Sequence, residues 1–170
     1  FYAGLAHSWA VDHPNRTIYV RIDPNARWSD GPPITTADVE FTFYFFRSPF
    51  LREPWFNDFY TTKFESLTIF DELTFAITFP EDKPDLEKYL GVCPFPRHAY
   101  QDFGSDWIER FQWRPTPKTG PYQIKPEDID KGRSITLTRD PNWWARDKRF
   151  YRGRFNPDRY QLDVIRDSNK

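Results

Sequence analysis

RWSDGPPITTADVEFTF, Arg27 to Phe43, carries a strand end, a stiff turn and a helix start in that order. Asp30-Gly31 supplies a position that tolerates positive φ, so Ser29-Asp30-Gly31 reads as a turn. Pro32 and Pro33 cannot continue a sheet interior and hold the chain extended. Thr35 is the expected helix N-cap. Asp38, three residues on, can reach back to the N–H of Thr35 while the Thr35 hydroxyl takes the N–H of Asp38. The helix should run to about Arg47, where Ser48-Pro49 stops it. Val39, Phe43 and Phe46 share one face at i, i+4 and i+7. Phe41 and Phe45 fall off that stripe, so the helix is expected to be buried on two sides.

On the N-terminal side, Leu5 to Val11 is a short apolar run and Asp12 to Asn15 a turn. Thr17 to Ile22 alternates, with Ile18, Val20 and Ile22 on one face and Thr17, Tyr19 and Arg21 on the other. On the C-terminal side, EPWFNDFYTTKF reads as an irregular aromatic stretch. LTIFDELTFAITF reads as a hairpin turning at Asp71-Glu72. Asp85 to Leu90 should be a short helix ended by Gly91, and Val92 to Pro96 extended. His98 to Phe103 and Asp106 to Phe111 suggest helices of one or two turns. Trp113 to Lys118 is a proline-broken connector. Beyond it Pro121 to Lys125, Ser134 to Arg139 and Tyr160 to Ile165 read as strands. The fold class is therefore α+β, with a mainly antiparallel sheet and short helices.

The chain has 170 residues and a net charge of −1. That length can bury about 70% of the unfolded surface. The charge gives no electrostatic footprint for nucleic acid. The Arg and aromatic residues of RDKRFYRGRF are best read as a solvated loop with stems packed on rings. No stretch approaches the ~20 apolar residues of a membrane span. One cysteine, Cys93, excludes an internal disulfide. The strand-like start and the absence of Met suggest a piece of a longer chain. Aromatic residues make up 19% of the sequence and 16 prolines accompany them. This composition describes a folded, loop-rich domain, some of whose rings can line a recognition surface.

Catalytic patterns are missing from the sequence. His7, His13 and His98 are far apart and lack metal-site spacing, so neither a metal nor a cofactor is expected. There is no glycine-rich phosphate loop and no nucleophile elbow. Acidic residues fall at turns and helix starts, where backbone N–H groups account for them. A hydrolase would need two close carboxylates in a cleft.

LAHSWAV followed by TIYVRIDPNARWSDGPPITTADVEFTF resembles the signature "LAESW … FxLRxxxxWxDGxPxTAxDVxxSF" of bacterial extracellular solute-binding proteins of family 5. These are the peptide-, dipeptide- and nickel-binding receptors of ABC importers. TGPYQI and SITLTRDPNWWA resemble that family's later "GxGPYxL … IxLxRNPxYW" element. The tail RGRFNPDRYQLDVIRD is most similar to the branch of YejA-type receptors for oligopeptides and peptide-like compounds. Ala10, Thr36 and Ala37 depart from the pattern.

The resemblance implies part of a lobe of a type II periplasmic-binding-protein-like fold, without catalysis. Trp28, Gly31, Thr35, Asp38, Gly120, Pro121 and Trp144 would hold geometry. Residues 1–114 would form the smaller α+β lobe and residues 115–170 strands of the main lobe. The partners implied are an oligopeptide or peptide-like ligand and an inner-membrane ABC permease. The location implied is the periplasm, or the outer face of a Gram-positive membrane. Trp55, Phe59 and Tyr60, with Cys93 and Phe95, are the expected ligand contacts. Open edges on the C-terminal strands would favour self-association. The alternative is an independent β-rich carbohydrate- or protein-interaction module using exposed aromatics.

Overall fold

The computed structural model describes residues 4–51 and 53–165; Phe1 to Ala3, which open the first apolar run, lie outside them. β1 (Ala6–Asp12) and β2 (Thr17–Ile22) form an antiparallel hairpin. β3 (Ser66–Ile69) and β4 (Thr74–Thr78) form a second, and β2 pairs with β4. The resulting sheet has the order β1-β2-β4-β3, antiparallel throughout. Period-two alternation puts Ile18, Val20 and Ile22 of β2 and Phe75 and Ile77 of β4 into one core. Thr17, expected on the outer face, is buried as well. Its hydroxyl pairs across the strands with that of Thr78 at 3.0 Å and donates to the carbonyl of Asn15 at 2.8 Å.

The turn forms as the sequence predicts. The N–H of Gly31 donates to the carbonyl of Trp28 at 2.9 Å, with Gly31 at φ 111°. A side chain there would be strained by the backbone alone. Helix α1 (Thr36–Arg47) follows, with Thr35 as N-cap and Ser48 as C-cap. Asp38 is buried and its carboxylate accepts three bonds. Oδ2 takes the N–H of Thr35 at 3.0 Å and the indole N–H of Trp28 at 3.3 Å. Oδ1 takes the N–H of Arg97 at 3.0 Å. The sequence accounts for the first bond alone.

Both faces of α1 are covered. Val39 and Phe43 join the sheet core, while Phe41 and Phe45 join a second core with Tyr100, Phe103 and Phe111. Burying each of these phenylalanines contributes about 2 kcal/mol. The second core uses two short helices, α3 (Arg97–Tyr100) and α4 (Trp107–Phe111). A 3-10 turn at Leu86–Tyr89 precedes them.

The stretch expected to be irregular is a helix, α2 (Pro54–Thr62). Its own propensities are poor, since Asn, Asp, Thr and aromatic residues are indifferent helix formers. Two bonds to α1 compensate. The Arg47 Nε–H donates to the carbonyl of Tyr60 at 2.9 Å, and the Asn57 amide donates to that of Phe46 at 3.3 Å. Pro54 stands at the start, where its missing N–H costs nothing.

A second sheet is built on β7 (Ser134–Arg139), flanked on one side by β5 (Tyr122–Gln123) and β6 (Ile129–Asp130) and on the other by β8 (Arg159–Asp163). β6 was not anticipated. The connector into this sheet docks on the 29–31 turn. The N–H of Ser29 donates to the carbonyl of Lys118 at 2.8 Å, and the N–H of Lys118 returns to the Ser29 hydroxyl at 3.0 Å. The carbonyl of Thr119 accepts both indole N–H groups, from Trp143 at 2.7 Å and Trp144 at 3.1 Å. Lys148 hydrogen-bonds the buried carboxylate of Asp23. Burial would push that carboxyl up. The Lys148 hydrogen bond, the N–H of Asn25 and the charges of Lys148 and His7 outweigh it and hold the carboxyl below its usual range.

Asp38→Ala leaves three N–H donors without an acceptor and should cost about 3 kcal/mol or more. Thr35→Ala loses a cap alone and should cost about 1 kcal/mol. Urea unfolding of the two variants checks the order. Equal losses would mean that the Trp28 and Arg97 bonds add nothing.

Candidate functional site

α2 presents a face of aromatic rings one turn apart. Trp55 is 66% exposed and stacks on Phe59, with centroids 5.4 Å apart and planes 17° from parallel. Phe56 meets the Trp55 indole edge-on at 4.9 Å. This i, i+4 stack follows from the helix that the sequence reading missed. Tyr60 points the other way and is 3% exposed. Its ring meets Phe43 edge-on at 5.2 Å and lies parallel to Phe46 at 4.8 Å. Burial pushes its phenol up to about 12. The Cys93 thiol adds to the rise, and a hydrogen bond with the Cys93 backbone offsets part of it.

Of the five residues expected to contact a ligand, four come together. Trp55 and Phe59 form the outer face, Tyr60 lies beneath it, and exposed Cys93 adjoins Tyr60 through its backbone. Phe95 does not belong to this face. Its ring stacks on Phe45 at 4.4 Å and on Tyr100 at 4.8 Å, in the second core. Its N–H donates to the Thr42 hydroxyl at 2.8 Å. Tyr60 and Phe95 are thus packing residues here, because the rings of α1 cover them.

Beside Phe59 opens a cleft of about 440 Å³, bounded by the end of α2, the end of β4 and the segment through the 3-10 turn. Phe79, Lys83 and Tyr89 are among its walls. The sequence reading did not find it, although a signal existed. A hairpin over residues 66–78 must return the chain after β4 to the end of α2. The N–H of Glu65 indeed donates to the carbonyl of Thr78 at 2.8 Å, and Phe64 meets Phe79 at 5.7 Å. The rim after β4 is pinned from the first hairpin. Arg16 hydrogen-bonds the carbonyl of Pro80, and His13 Nδ1 lies 2.9 Å from Asp82.

Each histidine faces an aspartate, His7 with Asp23, His13 with Asp82 and His98 with Asp30. The three pairs lie on different elements. Among the described residues, no group of three or more His, Cys, Asp or Glu side chains could hold a metal ion. No helix among them is long and apolar enough to cross a membrane. An aromatic face and a cleft with polar walls can bind and orient a small molecule.

The two sheets and the helix mounted between two cores define a piece of an α+β lobe. The comparisons give the family. The profile of bacterial extracellular solute-binding proteins, family 5 Middle, matches residues 1–170, and the chain belongs to that family. Escherichia coli YejA is 30% identical over 99% of this chain and 27% of its own length. The periplasmic oligopeptide-binding protein OppA of Salmonella typhimurium is 26% identical over 83% of this chain and 28% of its own. The chain thus spans about a quarter of the length of the curated relatives it matches. Lactococcal OppA, solved with an endogenous peptide in the closed conformation, superposes with a TM-score of 0.73 at 20% identity. That match covers 97% of this chain and 33% of the solved one, and shows the shared fold.

The His13–Asp82 pair gives a pH test of the cleft rim. The hydrogen bond to Asp82 holds the His13 pKa above its ordinary 6.5. The pair's contribution is therefore complete below that ordinary value and fades as pH rises through the raised one. An NMR titration of the His13 ring should show the upward shift, and Asp82→Asn should return the ring to the ordinary value. An unshifted wild-type ring would mean that the rim is not pinned there.

Proposed function

We propose that this chain is part of the ligand-binding receptor of an ABC importer for oligopeptides or peptide-like solutes, working without catalysis. Residues 1–114 form the smaller lobe and residues 115–170 strands of the main lobe. The partner is an inner-membrane ABC permease, and the place of action is the periplasm, or the outer surface of a Gram-positive cell for an anchored form. Family membership supports this reading, and so does the similarity to the periplasmic oligopeptide-binding protein OppA of Salmonella typhimurium. The observation that carries it is the stack of exposed Trp55 on half-buried Phe59, on a helix bonded to α1. Large rings with few rotatable bonds give contact area at small entropic cost, which suits varied side chains. Trp55, Phe59 and Cys93 meet the ligand, Tyr60 supports them from below, and Phe95 packs in the second core.

A carbohydrate platform needs exposed rings side by side. Trp55 and Phe59 instead stack face to face, and exposed Trp113 carries the Lys131 ammonium 4.5 Å over its ring. That arrangement favours the peptide reading over a sugar-binding module.

Taken by themselves, these 170 residues cover about a quarter of the relatives' length, so their affinity should be millimolar, about −4 kcal/mol. Titrating the ¹⁵N-labelled chain with tri- to pentapeptides should move the Trp55 indole N–H and the amides of Phe59 and Cys93, and Trp55→Ala should abolish the response. Shifts that avoid these residues, or micromolar binding unaffected by Trp55→Ala, would overturn the assignment. β8 pairs with β7 alone among the described strands and exposes Tyr160 and Leu162. We expect concentration-dependent association through this edge by light scattering; a strict monomer at high concentration would exclude it.

A further inference from the structure

The cleft beside Phe59 has a chemical preference of its own. At about 440 Å³ it falls within the usual range for small-molecule sites. Its apolar part comes from Phe59, Phe79 and Tyr89, and its polar part from Lys63, Lys83, Glu81 and Lys88, the last already paired with Asp85. The lysines are held in different ways. Lys83 lies half-buried with its ammonium 4.9 Å over the Tyr89 ring. Lys88 is paired with Asp85 at 2.5 Å, and that hydrogen bond holds its pKa above the ordinary value. Asp85 adopts the left-handed conformation, φ 55° and ψ 48°, immediately before the 3-10 turn. A residue other than glycine held there is strained, and such strain persists where the surroundings fix it. Lys63 is the C-cap residue of α2.

We infer that this cleft binds a small monoanion with an apolar body, its carboxylate facing the ammonium groups of Lys63 and Lys83 and its apolar part against Phe59, Phe79 and Tyr89. A carboxylate fits better than a phosphate. The neighbouring helix end is the C-terminal end of α2, whose partial negative charge opposes a dianion. Glu81 opposes it further. Lysine ammoniums are compact, rotatable donors and do not impose the planar fork that arginine brings to phosphate. The apolar walls add burial at about 25 cal/mol per Å². An N-acylated amino acid, or the C-terminal residue of a peptide, has this chemistry. The inference stands on the cleft's own walls and does not require that the chain be a peptide receptor.

The test uses the whole chain, ¹⁵N-labelled, with N-acetyl-L-phenylalanine, its amide and inorganic phosphate as probes. N-acetyl-L-phenylalanine should shift the amides of Lys63, Lys83, Tyr89 and Gly91. The amide probe should bind about tenfold or more weakly, as loss of a charge-assisted contact implies. Lys63→Gln with Lys83→Gln should remove the difference between acid and amide, whereas Lys131→Gln, on another surface, should leave it. These lysines are not in a core, so an unchanged melting curve will accompany the variants. Equal binding of acid and amide, shifts confined to other surfaces, or phosphate binding as tightly as the acid would each overturn the proposal. A response at Trp55 to peptides without any at Lys83 to N-acetyl-L-phenylalanine would sink the cleft and leave the receptor reading intact. The converse would do the opposite.

Discussion

The carboxylate of Asp38 is the point on which the rest of this structure hangs. It is buried, and it gathers donors from three segments that are distant in sequence: the Trp28 indole before the turn, the N–H of Thr35 at the helix start, and the N–H of Arg97 at the start of α3. A buried carboxylate is tolerable only when its lone pairs are used, and the three donors use them. The arrangement is specific as well as stabilising. Moving the helix start by one residue would break the Thr35 bond and carry the Trp28 and Arg97 bonds out of reach together. Turn, helix and return segment therefore form as one unit.

That unit explains how the second sheet is held. The 29–31 turn, already fixed from one side by Asp38, offers Ser29 to the connector at Lys118 and Asp30 to His98. The connector then passes the carbonyl of Thr119 to two indoles. Lys148 closes the circuit onto Asp23, at the end of β2. Each link joins a side chain to a segment far away in the chain, so no local pattern announces it.

This limits what could be read from the sequence. The hairpins, the turn and α1 were legible because their signals are local: period-two alternation, Asp30-Gly31, a capping residue and a stop at Ser48-Pro49. The two-sided burial of α1 was legible from Phe41 and Phe45 lying off the main stripe. α2 was not, because PWFNDFYTT has weak propensity and its support comes from Arg47 and Asn57 bonding across to the backbone of the paired helix. With the helix missed, Tyr60 read as equivalent to Trp55, although five residues at about 100° each carry it about 140° round the helix from Trp55. The lysine cleft was missed for a different reason, since its signal lies in the consequence of the legible hairpin and not in any local pattern. Lys63 and Lys83 are twenty residues apart and become neighbours only when the β3–β4 hairpin closes.

α1 also sets the relation between the parts of the candidate site. On one side it holds α2 through the carbonyls of Tyr60 and Phe46. On the other it holds the extended segment through Thr42, which binds the N–H of Phe95, and Asp38, which binds that of Arg97. Thr42 is itself fixed, since its hydroxyl donates to the carbonyl of Asp38 at 2.6 Å. Trp55, Phe59 and Cys93 are therefore mounted on two sides of one helix by bonds to backbone atoms, and their spacing does not depend on the side chains they present. Substituting the rings of Trp55 or Phe59 leaves those bonds in place. Substituting Thr42 or Asp38 removes the bonds to Phe95 and Arg97 and loosens the segment that carries Cys93. The rings that the lobe presents and the bonds that hold it together therefore belong to separate sets of residues, because the holding bonds run through Arg47, Asn57, Thr42 and Asp38.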